Sequence, residues 1–282
     1  MSDSNTLLHE IVNLQNGEDI RFVLSHDPSS LISLHWHNAI ELIYLLKGEL
    51  EVTISGQKYL LQKGEIILIN SKVIHSTKCT KGNDAILVQL PYPFLKRYIN
   101  DISSYQFTLN YRTKNPIERT KITQLCELLE KMNYIQEARP DGALLQFQSM
   151  LFELLYILYH NFRTQVSQAA FQKTNKNLLR LEPILQYTNE NYKTPISIAE
   201  ISDYAILEPK YFCRFFKKNM GMTYLEYLNE VRLSHIYHDL IHTDFAINDI
   251  LETHGFTNYK LFCRLFKEKF GTTPLQERKK HR

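Results

Sequence analysis

With 282 residues, of which 44% are hydrophobic, 12% aromatic and 22% charged, the chain is long enough for two domains with real cores, and intrinsic disorder is excluded. Nine glycines and nine prolines exclude a collagen-like or low-complexity polymer, and a formal charge of only +3 excludes a histone-like polycation. Any case for nucleic-acid binding therefore rests on where the charges sit. The four cysteines (Cys79, Cys126, Cys213, Cys263) form no CxxC or other short pairing, which argues against a disulfide framework or a structural zinc site. The opening MSDSNTLLHEIVNLQNGED has no basic stretch followed by an apolar one, and no run of about 18 uncharged apolar residues occurs. These features predict a cytoplasmic protein that does not enter a membrane.

In chain order, residues 1–100 read as strands. Short β-branched and aliphatic runs (ELIYLL, LEVTI, YLL, EIILI, AILVQL) alternate with turn signals at Lys47-Gly48, Ser55-Gly56, Lys63-Gly64 and Gly82-Asn83, as in an antiparallel sandwich or small barrel. Past Pro116, Ile122, Leu125, Leu129 and Met132 recur at helical spacing. A second helix over 143–160 is apolar on almost every side, which suits burial in its own domain or against a partner subunit. The polar stretch NFRTQVSQAAFQKTNKN over 161–177 reads as a linker, and the chain is helical from 178 onward.

That helical region contains a duplication. Residues 211–227 align without a gap on 261–277 at an offset of 50, with identities at Phe212/Phe262, Cys213/Cys263, Arg214/Arg264, Phe216/Phe266, Lys217/Lys267, Gly221/Gly271, Thr223/Thr273 and Leu225/Leu275. Each copy reads as short helix, tight turn, second helix and glycine stop, with Pro209 and Asn258 suited to the starts of the second helices. That is the helix-turn-helix pattern. The second helices put phenylalanines on one stripe and cations on the other, as entry into a DNA major groove requires; a good bidentate base contact discriminates by about 1–3 kcal/mol.

Residues 180–280 resemble the DNA-binding domain of the AraC/XylS transcription regulators, through Arg232-Leu233, Gly255-Phe256, the string FCRLFKEKFGTTP and Arg278. The resemblance implies that two helix-turn-helix units enter successive major-groove segments on one face of double-stranded DNA. Lys210, Cys213, Arg214 and Lys217 of the first unit, and Asn258, Tyr259, Lys260, Cys263, Arg264 and Lys267 of the second, are the candidate DNA-binding residues. Ser202, Ile236 and Leu251 replace small residues usual in the family, Glu277 replaces a tyrosine, and Glu208 stands where a serine cap is common. A carboxylate at Glu208 is expected to repel a nearby phosphate.

In the strand region, His35-x-His37-x3-Glu41-x6-Gly48 is followed by Gly64-Glu65-x4-Asn70-x4-His75. Histidines two apart in a strand share a face, and Glu41 and His75 complete a set of three nitrogens and one oxygen. These spacings resemble the two cupin motifs, in which such residues bind a divalent metal, although Asn70 and Lys72 stand where cupins commonly carry proline and glycine. Regulators of the AraC type often carry a cupin-like sensor that holds a small effector without metal. His35, His37, Glu41 and His75 are thus candidate effector-binding residues, with a divalent metal or a purely structural role as alternatives. A sugar suits such a pocket, because its hydroxyls need convergent donors and acceptors beside aromatics such as Trp36.

The resulting expectation is an α+β chain of two domains. Residues 1–163 form a cupin-like sensor, with the barrel at about 1–100 and a helical pair for dimerisation at about 115–163. A linker covers 164–177, and 178–282 form an all-α double helix-turn-helix. The expected function is transcription regulation, more suited to activation than repression, with promoter DNA, a small effector, a second copy of the chain and RNA polymerase as partners. No cofactor is required on this reading. A metal-dependent cupin enzyme with a helical appendage is the alternative, and it leaves the duplication without a purpose.

Overall fold

The computed structural model describes Glu10, Val12 and residues 19–79 and 81–280. Two compact units emerge, one built on residues 9–54 and 58–176 and the other chiefly on 177–282.

The first unit is a seven-stranded antiparallel sheet: β1 (Arg21–Asp27), β2 (Leu31–His35), β3 (Ala39–Ile54), β4 (Gln57–Gln62), β5 (Ile66–Ile69), β6 (His75–Lys78) and β7 (Asn83–Pro91). The first half of β3 pairs with β7 and β5, placing Glu41 opposite Gln89 on one side and Ile69 on the other. Its second half pairs with β6, Val52 opposite Thr77. One strand thus serves both parts of the sheet, which curls into a cupin-like half-barrel. The bend falls at a register shift between Leu45 and Lys47. There Gly48 adopts φ 77°, and a Cβ on it would lie 2.1 Å from the Gly82 carbonyl oxygen, so no larger residue fits the crossing.

Strand alternation explains why β3 is buried continuously from Ala39 to Leu45. Ile43 and Leu45 join Val52, Leu61, Ile67 and Ile69 in the inner core. Ile40, Leu42 and Tyr44 face the other way, onto Leu125, Leu129, Met132, Leu151 and Leu154 of two helices. Each fully buried leucine of that layer contributes about 1.5–3 kcal/mol. The helices are α2 (Pro116–Ala138) and α3 (Ala143–Ile157), reached through α1 (Tyr92–Tyr98) and β8 (Tyr105–Phe107). Asn115 caps α2 by accepting from the Ile117 amide, with Pro116 in the first turn. The last turn of α3 widens over Leu158–Phe162, and β9 (Arg163–Gln165) then pairs with β8.

The second unit is helical: α4 (Gln168–Asn191), α5 (Ile198–Tyr204), α6 (Pro209–Met220), α7 (Tyr224–His242), α8 (Ile247–Thr253), α9 (Tyr259–Phe270) and α10 (Pro274–Lys280). The expected linker 164–177 is replaced from Gln168 by helix, because its Gln, Ala and Lys residues favour that state even without an apolar stripe. Further along, α4 buries Leu178, Leu181, Ile184 and Leu185.

The duplication is a helix, a helix-turn-helix and a closing helix, with α7 shared between copies. Ser197 and Thr223 open α5 and α7 with reciprocal capping boxes to Glu200 and Glu226. Gly221 and Gly271 end α6 and α9 in the left-handed region, at φ 77° and 71°. Phe212 and Phe216 pack on Tyr224, and Phe262 and Phe266 on Leu233, Ile236, Leu240 and Ile250. Arg232 Nε donates to the Tyr192 carbonyl at the end of α4, and Arg278 Nε donates to the Leu240 carbonyl near the end of α7. Ser202, Ile236 and Leu251, larger than the residues usual in the family, are all buried within this packing. Glu277 is buried as well and accepts from Tyr237 and Lys280. Among the described residues no helix is long and apolar enough to cross a membrane.

Candidate functional site

On α6, burial of Phe212, Phe215 and Phe216 turns Lys210, Cys213, Arg214 and Lys217 outward, and all four are exposed. On α9, burial of Phe262 and Phe266 leaves Tyr259, Lys260, Arg264 and Lys267 exposed and Cys263 half-buried. Asn258 is exposed too, but its Oδ1 caps α9 by accepting from the Leu261 amide, so its amide nitrogen is the group facing outward. Arg264 lies 3.9 Å from Glu268, an exposed i,i+4 pair worth about 0.3–0.5 kcal/mol, too weak to hold the guanidinium away from another acceptor. Glu208 is engaged rather than free. Its two carboxylate oxygens accept from the Lys210 and Tyr211 amides, bonds that hold its carboxyl below the usual range. The carboxylate does the work of the serine cap it replaces.

The half-barrel contains a second polar constellation. His35, His37 and His75 present one ring nitrogen each within 4.8 Å of one another. Each ring is oriented from behind: Nδ1 of His35, His37 and His75 donates to the carbonyls of Ser33, Ala39 and Val73, at 2.9, 3.1 and 2.9 Å. Donation from Nδ1 points every Nε2 toward the common centre. His37 Nε2 lies 2.7 Å from Glu41 Oε2, which also accepts from Gln89 Nε2 at 2.8 Å. Burial works to raise the Glu41 carboxyl, but the hydrogen bond from His37 and the charge of His75 outweigh it and bring it to about 2. Burial pushes His75 down to about 4. Glu10 closes one side: its amide donates to the Trp36 carbonyl, its Oε1 accepts from Arg21, and its Oε2 lies 3.4 Å from His35 Nε2.

The four predicted residues are brought together, and Gln89, Arg21 and Glu10 join them. Gln89 left one trace in the sequence, a polar residue in the apolar run AILVQL; Arg21 and Glu10 left none. The departures at Asn70 and Lys72 keep the loop they occupy. Lys72 takes the left-handed φ of 64° that a glycine would adopt, with its amide on the His37 carbonyl. Asn70 both donates to and accepts from the backbone of Phe107, at 2.8 Å each.

Metal chemistry can be tested against this donor set. His75 Nε2 is buried with no hydrogen-bond partner, and three imidazole nitrogens with one carboxylate form a set suited to a divalent transition metal. The residues fit such an ion.

Residues 201–280 match the family model described as a helix-turn-helix domain, and 22–90 match that of the cupin domain. The uncharacterized HTH-type transcriptional regulator YdeC of Bacillus subtilis is 22% identical over 271 residues, covering 91% of this chain and 89% of that protein. The melibiose operon regulatory protein of Escherichia coli K12 is 22% identical over 263 residues, covering 89% and 85%. An uncharacterized HTH-type regulator of Staphylococcus aureus is 21% identical, but the chain spans only 34% of its length. Among solved structures, an AraC-type regulator from Chromobacterium violaceum covers 38% of this chain and 96% of its own at 24% identity, with a TM-score of 0.35. A cupin domain joined to a duplicated helix-turn-helix defines a DNA-binding transcription regulator. The chain joins an AraC-type helix-turn-helix domain to an N-terminal cupin domain, and its relatives carry the names of regulators, not enzymes.

Proposed function

We propose that the chain reads a specific promoter site with α6 and α9. Lys210, Cys213, Arg214, Lys217, Asn258, Tyr259, Lys260, Cys263, Arg264 and Lys267 contact bases and phosphates. One observation carries this reading: the same residue types stand outward on both second helices while the phenylalanines beneath them are buried. Selection of bound duplexes from a random pool tests it. One sequence with two separated contact segments is the expected product, and recovery of unselected sequence would refute the assignment.

The sensor on this reading is residues 1–163, and its occupant is a small polyhydroxylated molecule held through His35, His37, Glu41 and His75. The supports are the convergence of buried donors and acceptors and a relative named for the melibiose operon. The DNA-binding segment is 178–282, working in the cytoplasm and activating transcription through RNA polymerase. Effector binding shifts the population between domain or dimer arrangements. The dimer is formed by the helical pair: α3 buries one face, while Leu145, Phe152 and Tyr156, at i, i+7 and i+11, share an exposed stripe.

A second reading of the barrel site rests on the orphaned His75 Nε2. There His35, His37, His75 and Glu41 hold a divalent ion, which would supply a fixed positive charge for an effector's oxygen atoms. Metal analysis of purified protein separates the readings, with stoichiometric zinc, manganese or iron favouring the second.

A further inference from the structure

The two copies of the helix-turn-helix are not joined by α7 alone. His254, the residue that follows α8, is buried between two partners. Its Nε2 lies 2.8 Å from Asp239 Oδ2 on α7, and its Nδ1 lies 3.1 Å from the hydroxyl of Tyr192, which follows α4 and leads into the first helix-turn-helix. With Asp239 accepting from Nε2–H, the Nδ1 lone pair accepts from Tyr192 O–H. Burial, aided by the Asp239 charge, pushes Tyr192 up to about 12, so that hydroxyl keeps its proton.

The same lead-in segment is gripped from three other directions. The Tyr192 ring stacks on His235 of α7 at 4.3 Å and 5°. Arg232 donates to the carbonyls of Tyr192 and Thr194, at 2.8 Å each. Gly255, beside His254, approaches so closely that a Cβ on it would lie 2.1 Å from the Lys193 carbonyl oxygen. The turn of the second helix-turn-helix therefore rests directly on the backbone that enters the first helix-turn-helix.

Nothing in the duplication requires this. At the offset of 50 the counterpart of His254 is Tyr204, which is exposed and packs at a tilt against Tyr187 of α4, ring centroids 4.3 Å apart, on the side of its own helix-turn-helix. His254 faces across the two helix-turn-helix copies and Tyr204 does not. Two helices on successive major-groove segments must match a repeat of about 34–36 Å and its rotation. A loose joint would accept several spacings, whereas a preorganised one accepts one and spends no binding energy on ordering it.

We propose that the Tyr192–His254–Asp239 bridge is a specificity-determining brace, which fixes the separation of the two reading helices and hence the base-pair spacing the chain accepts between its two contact segments. The three residues are positioning residues and touch no DNA. This rests on the DNA-reading assignment to α6 and α9.

The test uses the full chain and the duplex it selects from a random pool, with versions carrying one base pair added or removed between the contacted segments. Tyr192→Phe deletes the bridging hydroxyl and keeps both the ring that stacks on His235 and the carbonyl that receives Arg232. The parent chain should lose at least about tenfold in affinity on either altered duplex, and Tyr192→Phe less than about threefold, with a melting temperature within about 3 °C of the parent. His254→Gln, which keeps an N–H for Asp239, should relax spacing in the same way and stands in if Tyr192→Phe melts early. The same spacing penalty in parent and variants would overturn the brace, as would an equal loss on all three duplexes, the signature of a merely structural bond. A parent chain with no preference for the selected duplex over random DNA would instead refute the DNA-reading assignment.

Discussion

Ile206 offers a quantitative check on the first helix-turn-helix. It lies in the turn between α5 and α6, at φ 54°, with 91% of its surface exposed. A left-handed conformation costs an L-residue about 1–2 kcal/mol, with β-branched side chains the least tolerant and asparagine among the most. Exposure this complete leaves at most about 0.3 kcal/mol of the 1.5–3 kcal/mol that a fully buried isoleucine contributes. The turn's own hydrogen bonds, Ile206 N to Asp203 O and Leu207 N to Ser202 O, are backbone bonds and survive substitution. Ile206→Asn should therefore stabilise the unit by about 1 kcal/mol. Ile206→Gly should gain less, because glycine forfeits about 0.5–1 kcal/mol of backbone entropy on folding. For a domain of this size that is a rise in melting temperature of about 4–8 °C for Ile206→Asn. Calorimetry of the full chain reads it, on the transition that moves when the selected duplex is added. An unchanged or lowered transition would mean that the side chain is covered in solution or that the turn is not left-handed, and either result refutes the reasoning.

Arg264→Ala should weaken the selected duplex by about 1–3 kcal/mol and random duplex far less; equal losses would reduce Arg264 to a phosphate contact. Gly255→Ala combines a left-handed φ of 67° with the clash on Lys193, and should cost about 2–5 kcal/mol in urea unfolding; a change under about 1 kcal/mol would refute the close packing. Leu145→Asp with Phe152→Asp should convert a dimer to monomer in sedimentation equilibrium without lowering the melting temperature, since both side chains are exposed in the single chain. His75→Ala should abolish any stoichiometric metal found in the purified protein, and retention of the metal would place it elsewhere.

What was legible in the sequence is what local pattern encodes. Phenylalanine spacing fixed the inward faces of α6 and α9, and Pro209, Gly221, Asn258 and Gly271 marked their ends, because caps and stripes are decided within a few residues. The spacing of His35, His37, Glu41 and His75 likewise carried their meeting, since β2 and β6 pair with His35 opposite His75. The start of α4 escaped because polar helix formers carry no period to detect. Glu10 and Arg21 escaped because their approach to Gln89 spans 79 and 68 residues. The Tyr192–His254 bond, over 62 residues, is invisible for the same reason. At Glu208 the departure from the family pattern keeps the cap, because a carboxylate accepts from the first amides of a helix as a hydroxyl does.

The duplication separates what folding demands from what an external partner demands. Phe212/Phe262, Phe216/Phe266, Gly221/Gly271 and Thr223/Thr273 are core, stop and cap positions, and packing alone accounts for their identity. The same cannot be said of Arg214/Arg264 and Lys217/Lys267, whose side chains are exposed and whose substitution would change stability by no more than about 0.5 kcal/mol. Nor is their match a residue of the duplication itself, because an equally exposed neighbour has diverged in sign, Lys218 against Glu268. Two positions on each of α6 and α9 have thus held one chemistry where the fold is indifferent to it. A repeating anionic partner that presents the same surface twice imposes that constraint, and duplex DNA, with one charge per strand every 3.4 Å or so, is such a partner.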